Sequence, residues 1–243
     1  MAVSIVTGAG SGIGAATAKV LAARGDSVVC ADVAEDAAKA TAAQLPSAIA
    51  VRVDVSDASS CDEMVAKAIE KFGSVDGIAT CAGIEKHGFG HEFSEEDFDR
   101  IMDVNLKGSW LSARAVARWL IANDRGGTVV MIGSINSVVG NPGASAYCAS
   151  KGGVLMLGKT LALDWAPNRI RVNIVGPGVV DTPMSARSLA IPERRARMMD
   201  RTPLGRPASP AEIGSVIAFL MSEGSSFMTG AYVPVDGGSL AAW

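Results

Sequence analysis

The chain has 243 residues, of which 49% are hydrophobic and 19% are charged, with 22 basic against 25 acidic side chains. This balance excludes a disordered chain, and without a basic excess we expect no nucleic-acid partner. No apolar run reaches the about 18 residues of a membrane span, and the opening residues lack a signal peptide's basic segment and cleavage site. The four cysteines have no metal-site spacing. We expect a cytoplasmic protein with reduced thiols and no metal.

Short β-branched runs alternate with alanine-rich helical patterns along the chain. Strands are predicted over 3–7, 27–31, 48–53, 75–80, 128–133, 169–175 and near 231–235, and helices near 12–24, 34–45, 57–72, 95–121, 144–165 and 210–222. Strands that alternate with helices of this length indicate parallel βαβ units. We predict an α/β fold, a single doubly wound Rossmann-type domain over 1–243, with helices on both faces of a parallel sheet.

One segment, 182–210, interrupts this alternation with many prolines and six arginines and contains a short helical patch near 193–200. It follows the sixth strand, so it should lie beside the carboxyl ends of the strands, where such folds bind ligands. We expect a substrate lid here. An ordinary amphipathic surface excursion, with its arginines as a solvated face, is the alternative.

A glycine-rich turn, Thr-Gly-Ala-Gly-Ser-Gly-Ile-Gly at 7–14, follows the first strand and opens the first helix. Gly8 permits a sharp turn, Gly12 permits close approach of a pyrophosphate, and Gly14 lets the helix pack near the sheet. The helix N-terminus offers free N–H groups to the anion. A plain strand–helix turn is the alternative, but the context of strand, helix and a later acidic residue favours dinucleotide binding by Gly8, Ser11, Gly12, Ile13 and Gly14.

The later acidic residue is Asp32, at the end of the second strand and 20 residues after Gly12. Its carboxylate can accept hydrogen bonds from ribose hydroxyls and would repel a 2′-phosphate. No arginine or lysine lies at 9–13 or 33–34 to bind that phosphate, so NAD is favoured over NADP. Asp54 and Val55, after the third strand, could reach the adenine edge, although an Asx turn or a helix cap is an equal alternative for Asp54.

Tyr147 and Lys151 are four residues apart in the predicted helix 144–165, which places them on one face. A Lys⁺ about 4 Å from the phenol would favour phenolate by about 4 kcal/mol, or about three pKa units. Tyr147 would then be a general base near neutral pH. Ser134 ends the strand 128–133 and can donate to a substrate carbonyl oxygen. A chance surface pairing of Tyr and Lys is the alternative reading of the spacing.

Together these motifs resemble the short-chain dehydrogenase/reductase family, in its branch of about 250 residues, over essentially the whole chain. The resemblance rests on the turn at 7–14, Asp54, Cys-Ala-Gly at 81–83, Asn105, Ser134, Tyr147 with Lys151, Pro177-Gly178, Thr182 and Asp-Gly-Gly at 236–238. It implies a nicotinamide cofactor and the interconversion of alcohols and carbonyls. With Asp32, the predicted reaction is hydride transfer between NAD and a secondary alcohol or ketone. It also implies a homo-oligomer, often a tetramer, in which the apolar tail 239–243 could take part, or that tail could cover its own core.

The resemblance also implies a role for each site residue. Tyr147 would be the acid/base, Lys151 would lower its pKa and hold the nicotinamide ribose, and Ser134 would polarise the carbonyl. Asn105 would hold a proton-relaying water, although by itself it reads as an ordinary polar helix residue. Cofactor contacts are implied for Asp32, Asp54, Val55, Cys81, Ala82, Gly83, Tyr147, Lys151, Pro177, Gly178, Val180 and Thr182.

Thr182 has two interpretations, which can coexist. By resemblance it would contact the carboxamide, and Thr182-Pro183 also suits a helix N-cap with proline in the first position. The family often has Asn-Asn-Ala-Gly after the fourth strand, whereas this chain has Thr80-Cys81-Ala-Gly. The backbone bracing by those asparagines is therefore in doubt. Cys81 and Cys148 are expected to be packed thiols.

Substrate contacts are expected from Ser134, Asn136 and Tyr147. Further candidate pocket positions are Glu85, Ile135, Val139, Asn141 and the lid from Met184 onward. This mostly apolar set favours a secondary alcohol or ketone, cyclic or aliphatic. The runner-up substrate is a 3-oxoacyl thioester of the acyl-carrier-protein type. A sugar epimerase or dehydratase, a non-catalytic dinucleotide-binding protein and a serine hydrolase fit the motifs less well. His87 and His91 lie together in a predicted solvated loop.

Overall fold

The computed structural model describes residues 2–241 and, in that range, contains one sheet of seven parallel strands. The strands are β1 (Val3–Thr7), β2 (Ser27–Asp32), β3 (Ala48–Arg52), β4 (Gly77–Thr80), β5 (Gly127–Ile132), β6 (Ile170–Pro177) and β7 (Tyr232–Val235). The helices are α1 (Gly12–Ala23), α2 (Glu35–Ala42), α3 (Ala58–Phe72), α4 (Glu95–Met102), α5 (Gly108–Ala122), α6 (Ser145–Trp165), α7 (Ala186–Leu189), α8 (Pro192–Asp200) and α9 (Pro210–Leu220).

The strand order is β3-β2-β1-β4-β5-β6-β7, and every neighbouring pair is parallel. The order reverses between β1 and β4, the point at which such sheets bind ligands beyond their carboxyl ends. All five residues of β1 are buried, as expected for a central strand covered on both faces.

Helices cover both faces of the sheet and bury two apolar cores. One core includes Met64 from α3 and Leu120 from α5, and the other includes Leu21 from α1 and Ile217 from α9. The predicted doubly wound α/β fold is therefore confirmed. Within the described range, no helix is both long and apolar enough to cross a membrane.

The predicted helix 95–121 is the largest departure from expectation, because it is divided in three. Ser94 caps α4 by accepting the Asp97 N–H, and α4 ends at Met102. A π-helical turn, Asp103–Lys107, then precedes α5. Such wider turns are rare and frequently occur at functional sites.

The segment 182–210 contains the predicted helical patch as α8, preceded by the short α7. The predicted apolar tail 239–243 is described only as far as residue 241, so its last two residues lie outside the described part of the chain.

Candidate active site

The four predicted catalytic residues come from three elements beyond the carboxyl ends of the central strands. Ser134 lies two residues after β5, and Tyr147 and Lys151 lie at the start of α6. Asn105 lies in the π-helical turn between α4 and α5. The contacts described below bring all four into one cluster.

Lys151 is a buried cation that the backbone of β5 holds in place. Its Nζ donates to the carbonyl oxygen of Ile132 over 2.8 Å and lies 5.7 Å from the centre of the Tyr147 ring. Burial lowers the pKa of Lys151 to about 8, because the apolar surroundings disfavour the charged ammonium.

Tyr147 does not have the depressed pKa that the spacing to Lys151 predicted. Burial raises the pKa of the Tyr147 phenol well above its usual range, and the nearby carboxylate of Glu85 raises it further. A hydrogen bond with the Ser134 side chain acts in the opposite direction. The expected lowering of the Tyr147 pKa is therefore wrong for the protein alone, because desolvation of the phenolate has the largest effect and the Lys151 ammonium donates to the Ile132 carbonyl.

Ser134 is buried and fixed by a turn of 3-10 helix at 135–137. Its Oγ accepts the N–H of Asn136 over 3.1 Å, and its own N–H donates to Ser137 Oγ over 3.1 Å. Ser137 Oγ in turn donates to the Lys151 carbonyl oxygen over 2.8 Å. Our sequence reasoning missed Ser137, although the S-x-x-S spacing of a capping box was a usable signal.

A second missed residue, Tyr232 of β7, supports the same turn. Its Oη donates to the carbonyl oxygen of Ser134 over 2.8 Å. A Cβ on Gly176 would lie 2.3 Å from this hydroxyl, so the phenol occupies space that only glycine leaves free. The contact depends on the β6–β7 pairing, and no sequence motif indicates it.

Asn105 is fully buried and joins two other segments through its side chain. Its Oδ1 accepts the Ile84 N–H over 2.8 Å, and its Nδ2 donates to the Ile84 carbonyl and to Ser150 Oγ, each over 3.0 Å. Ser150, missed in the sequence, donates to the Tyr147 carbonyl over 2.7 Å. Asn105 is thus not an ordinary polar helix residue. It ties the segment after β4 to the helix that carries Tyr147.

The backbone bracing that the Thr80-Cys81 departure put in doubt is supplied by other residues. The Ala82 N–H donates to Thr7 Oγ1 of β1 over 3.2 Å. At Gly83, an added Cβ would lie 3.3 Å from Asn105 Oδ1 and 3.7 Å from Lys151 Nζ. The backbone after β4 therefore passes directly beside the ammonium.

The glycine-rich turn combines two positions that require glycine with an uncapped helix N-terminus. Gly12 has φ +52°, and a Cβ on Gly14 would lie 2.1 Å from the Gly8 carbonyl oxygen, so both positions require glycine. Ser11 precedes α1 without a side-chain cap bond, and the first turn has no acidic residue. The N-terminal N–H groups of α1 are thus available to an anion.

Asp32, at the end of β2, faces this turn. One carboxylate oxygen accepts the Gly10 N–H over 2.9 Å, and the other accepts the Ala34 N–H over 2.9 Å. These bonds orient the carboxylate beside the turn and leave further lone pairs for ribose hydroxyls. The residues present therefore fit a nicotinamide dinucleotide.

Comparison with known proteins identifies the family. A family model described as Enoyl-(Acyl carrier protein) reductase matches residues 8–239. The chain is 42% identical to cis-4-hydroxycyclohexanecarboxylate dehydrogenase of Sinomonas cyclohexanicum, covering 98% of this chain and 96% of the relative. It is 38% identical to 3-oxoacyl-(acyl-carrier-protein) reductase of Thermotoga maritima, and the match covers 97% of this chain and 96% of that relative.

Among solved structures, a putative 2-deoxy-d-gluconate 3-dehydrogenase from Agrobacterium tumefaciens with bound NADP matches at a TM-score of 0.91 and 35% identity, covering 99% of this chain and 96% of that one. The chain belongs to the short-chain dehydrogenase/reductase family. This family binds a nicotinamide dinucleotide, and its curated relatives here are dehydrogenases and reductases.

In this short-chain dehydrogenase/reductase, the loop after β6 approaches the glycine-rich turn. Gly178 packs against Asp236, because a Cβ added to Gly178 would lie 2.8 Å from the Asp236 Cα. Val180 is buried. A Cβ on Gly12 would lie 3.4 Å from the Thr182 Cγ2, so Thr182 stands directly against the turn. The alternative of a helix capped by Thr182 is wrong, because the next helix begins at Ala186 after Ser185.

Asp54 lies two residues beyond the end of β3, is exposed and forms a local turn. Its Oδ1 accepts from the N–H and the hydroxyl of Ser56 over 3.0 and 2.6 Å. Asp54 therefore forms the Asx turn that the sequence analysis gave as one alternative. Val55 is buried against Gly108. A role for either residue at the adenine stays a prediction.

Asn136, Cys81 and the two histidines were also considered in the sequence. The Asn136 side-chain amide contacts Cys148 Sγ over 3.3 Å, which occupies one of its donors. Burial raises the pKa of Cys81 to about 12, in agreement with a packed thiol. His87 and His91 are exposed, but His87 Nε2 lies 3.2 Å from Glu85 Oε1, a contact that the sequence did not predict.

The six arginines of the segment 182–210 are all exposed, and Arg206 forms an ion pair with Glu212. This agrees with the solvated face that was left as an alternative.

Proposed function

We propose that the protein transfers a hydride between NAD and a secondary alcohol or ketone, with Tyr147 as acid/base. The observation that carries this proposal is the cluster in which the Ser134 turn is bonded through Ser137 to the Lys151 carbonyl, with the buried Lys151 ammonium 5.7 Å from the Tyr147 ring centre. Buried groups with strongly perturbed pKa values that share one cleft are typical of a catalytic site.

In oxidation, the substrate O–H proton passes to the Tyr147 oxygen as the C–H bond breaks and the C=O bond forms. When bound, NAD supplies the acceptor of the hydride with its electron pair, or in reduced form the donor. Ser134 holds the substrate oxygen by donating a hydrogen bond. Lys151 places a positive charge 5.7 Å from the centre of the Tyr147 ring, where it attracts the phenolate that the reaction requires.

The residues proposed to hold NAD lie in the glycine-rich turn, at or after the ends of β2, β3, β4 and β6, and in α6. They are Gly8, Ser11, Gly12, Ile13, Gly14, Asp32, Asp54, Val55, Cys81, Ala82, Gly83, Tyr147, Lys151, Pro177, Gly178, Val180 and Thr182. Asp32 supports NAD over NADP, because its carboxylate faces the turn and would repel a 2′-phosphate. The bound NADP of one structural relative makes the ratio of kcat/KM with the two cofactors a necessary test.

A panel of secondary alcohols with NAD, followed by absorbance at 340 nm, tests the reaction. Replacing Tyr147 with Phe should lower kcat by at least about a hundredfold and leave the NADH affinity, measured by fluorescence, nearly unchanged. Near-normal turnover would remove Tyr147 from the mechanism. Absence of turnover in the wild type with every alcohol would favour the non-catalytic dinucleotide-binding alternative.

A 3-oxoacyl-thioester reductase is the second candidate, favoured by the 38% identity to such an enzyme over 97% of this chain. An acetoacetyl thioester with NADH or NADPH tests it directly. A kcat/KM well above that for every simple ketone would favour this candidate over the first.

We further propose that residues 1–243 form a single domain, in which the segment 182–210 is a substrate lid.

We also propose that the protein is a homo-oligomer. Trp110 of α5 and Met156 and Leu163 of α6 support an interface, because they are exposed apolar side chains. Light scattering measures the assembly directly, and a monomer at micromolar concentration would contradict it.

A further inference from the structure

The short segment after Gly83 runs along one wall of the site and is fixed at both ends. At one end, both backbone groups of Ile84 are bonded to the Asn105 side chain. At the other, the Gly88 N–H donates to the Gly143 carbonyl over 2.9 Å, and Gly88 forms a bridge with Ala144 immediately before α6. Glu85 lies between these two anchors, two residues after Gly83, where an added Cβ would lie 3.7 Å from Lys151 Nζ. The segment therefore has a defined course from Lys151 to the start of α6.

The Glu85 side chain is turned away from bulk water. It is only 22% exposed, and one of its oxygens lies 3.2 Å from His87 Nε2. Its charge acts on both titratable partners of the proposed site, raising the pKa of Tyr147 and that of Lys151. A carboxylate thus stands within electrostatic range of the atoms that handle the proton.

We propose that Glu85 is a specificity-determining residue, which selects alcohols that carry a second hydroxyl beside the reacting carbon and rejects those that carry a carboxylate there. A carboxylate is acceptor-only when ionised, so a neighbouring hydroxyl can donate to it in a charge-assisted hydrogen bond. An anionic group at the same place would meet like charge in a poorly solvated wall. The inference rests on the proposed dehydrogenase function and assigns its substrate class as vicinal diols and hydroxyketones.

Three small alcohols with a common secondary carbinol test the selection: 2,3-butanediol, 2-butanol and 2-hydroxybutanoate. In the wild type, kcat/KM should fall in that order. Glu85→Gln keeps the shape and removes the charge, so it should lower the ratio of diol to 2-butanol about tenfold, equivalent to about 1.4 kcal/mol. The same variant should raise the ratio of 2-hydroxybutanoate to 2-butanol.

Glu92 provides a matched control. It lies in the same loop and faces His91 at 3.7 Å, but it is 64% exposed. Glu92→Gln should therefore leave both ratios as in the wild type. Equal changes in the two variants would show a general effect of lost charge and overturn the assignment to Glu85.

The pH profile gives a readout that a purely structural role of Glu85 would not move. The groups that act on Tyr147 are Glu85, Ser134 and Cys148, and those that act on Lys151 are Cys81 and Glu85, with His87 paired to Glu85. Removing the Glu85 charge should shift the rising limb of the kcat profile for oxidation to lower pH.

The possible failures are distinguishable. Ratios in Glu85→Gln within about twofold of the wild type, with 2-butanol still oxidised, would overturn only the role of Glu85. A wild type that oxidises none of the alcohols, on this set or on the wider panel, would overturn the proposed function itself and with it the inference. Circular dichroism of both variants confirms that folded proteins are compared.

Discussion

The contact between Tyr232 and the turn that carries Ser134 allows a quantitative test. Tyr232→Phe removes only the hydroxyl that donates to the Ser134 carbonyl over 2.8 Å. A partly buried hydrogen bond of this kind contributes about 1 kcal/mol to the free energy of unfolding. If the bond also positions Ser134 in the reaction, kcat/KM should fall about fivefold, the kinetic equivalent of about 1 kcal/mol.

Gly176 makes the same contact testable by a double-mutant cycle. The three atoms nearest to a Cβ at Gly176 all belong to Tyr232, at 2.3–2.6 Å. Gly176→Ala should therefore cost about 2 kcal/mol by overpacking, whereas in a Tyr232→Ala background the space is free and the added cost should nearly vanish. Urea denaturation of the four proteins measures the coupling. Costs that add within about 0.5 kcal/mol would show that the two side chains do not compete for space.

Three further predictions concern the site. Asn105→Ala leaves the Ile84 backbone and the Ser150 hydroxyl without their partner and should lower the unfolding free energy by about 3 kcal/mol in urea. Gly14→Ala meets the Gly8 carbonyl at 2.1 Å and should weaken NADH binding at least about tenfold in a fluorescence titration, while Gly140→Ala, with open space around it, should not. Because the pKa of Lys151 falls from 10.5 to about 8 on folding, the unfolded chain binds more protons in that window. Wild-type stability relative to Lys151→Met should therefore rise with pH between about 8 and 10, and a constant difference would contradict a buried Lys151.

Much of the fold follows from local sequence pattern. The apolar run Val3–Thr7 gives β1 with its bounds unchanged, because a central strand is apolar on both faces and a glycine-rich turn ends it. The Tyr147 and Lys151 spacing places both residues at the start of α6 for an equally local reason. The π-helical turn around Asn105 was missed, since its i→i+5 bonding has no periodic signature within a longer helical pattern.

The parts of the site that the sequence did not predict depend on long-range contacts. Tyr232 reaches Ser134 only through the parallel register of β6 and β7, 98 residues along the chain. The pairing of Glu85 with His87 depends on where a non-helical segment is anchored. The pKa of Tyr147 was predicted from one neighbour, whereas burial contributes the larger effect, and burial is a property of the whole fold.

The contact of Thr182 with Gly12 has a thermodynamic consequence. The base of the segment 182–210 rests on the turn proposed to hold the dinucleotide, so this contact connects the two places. Reciprocity requires that two ligands coupled through such a contact change each other's affinity by the same factor. For the proposed reaction, the factor by which an alcohol changes the dissociation constant of NADH should therefore equal the factor by which NADH changes that of the alcohol.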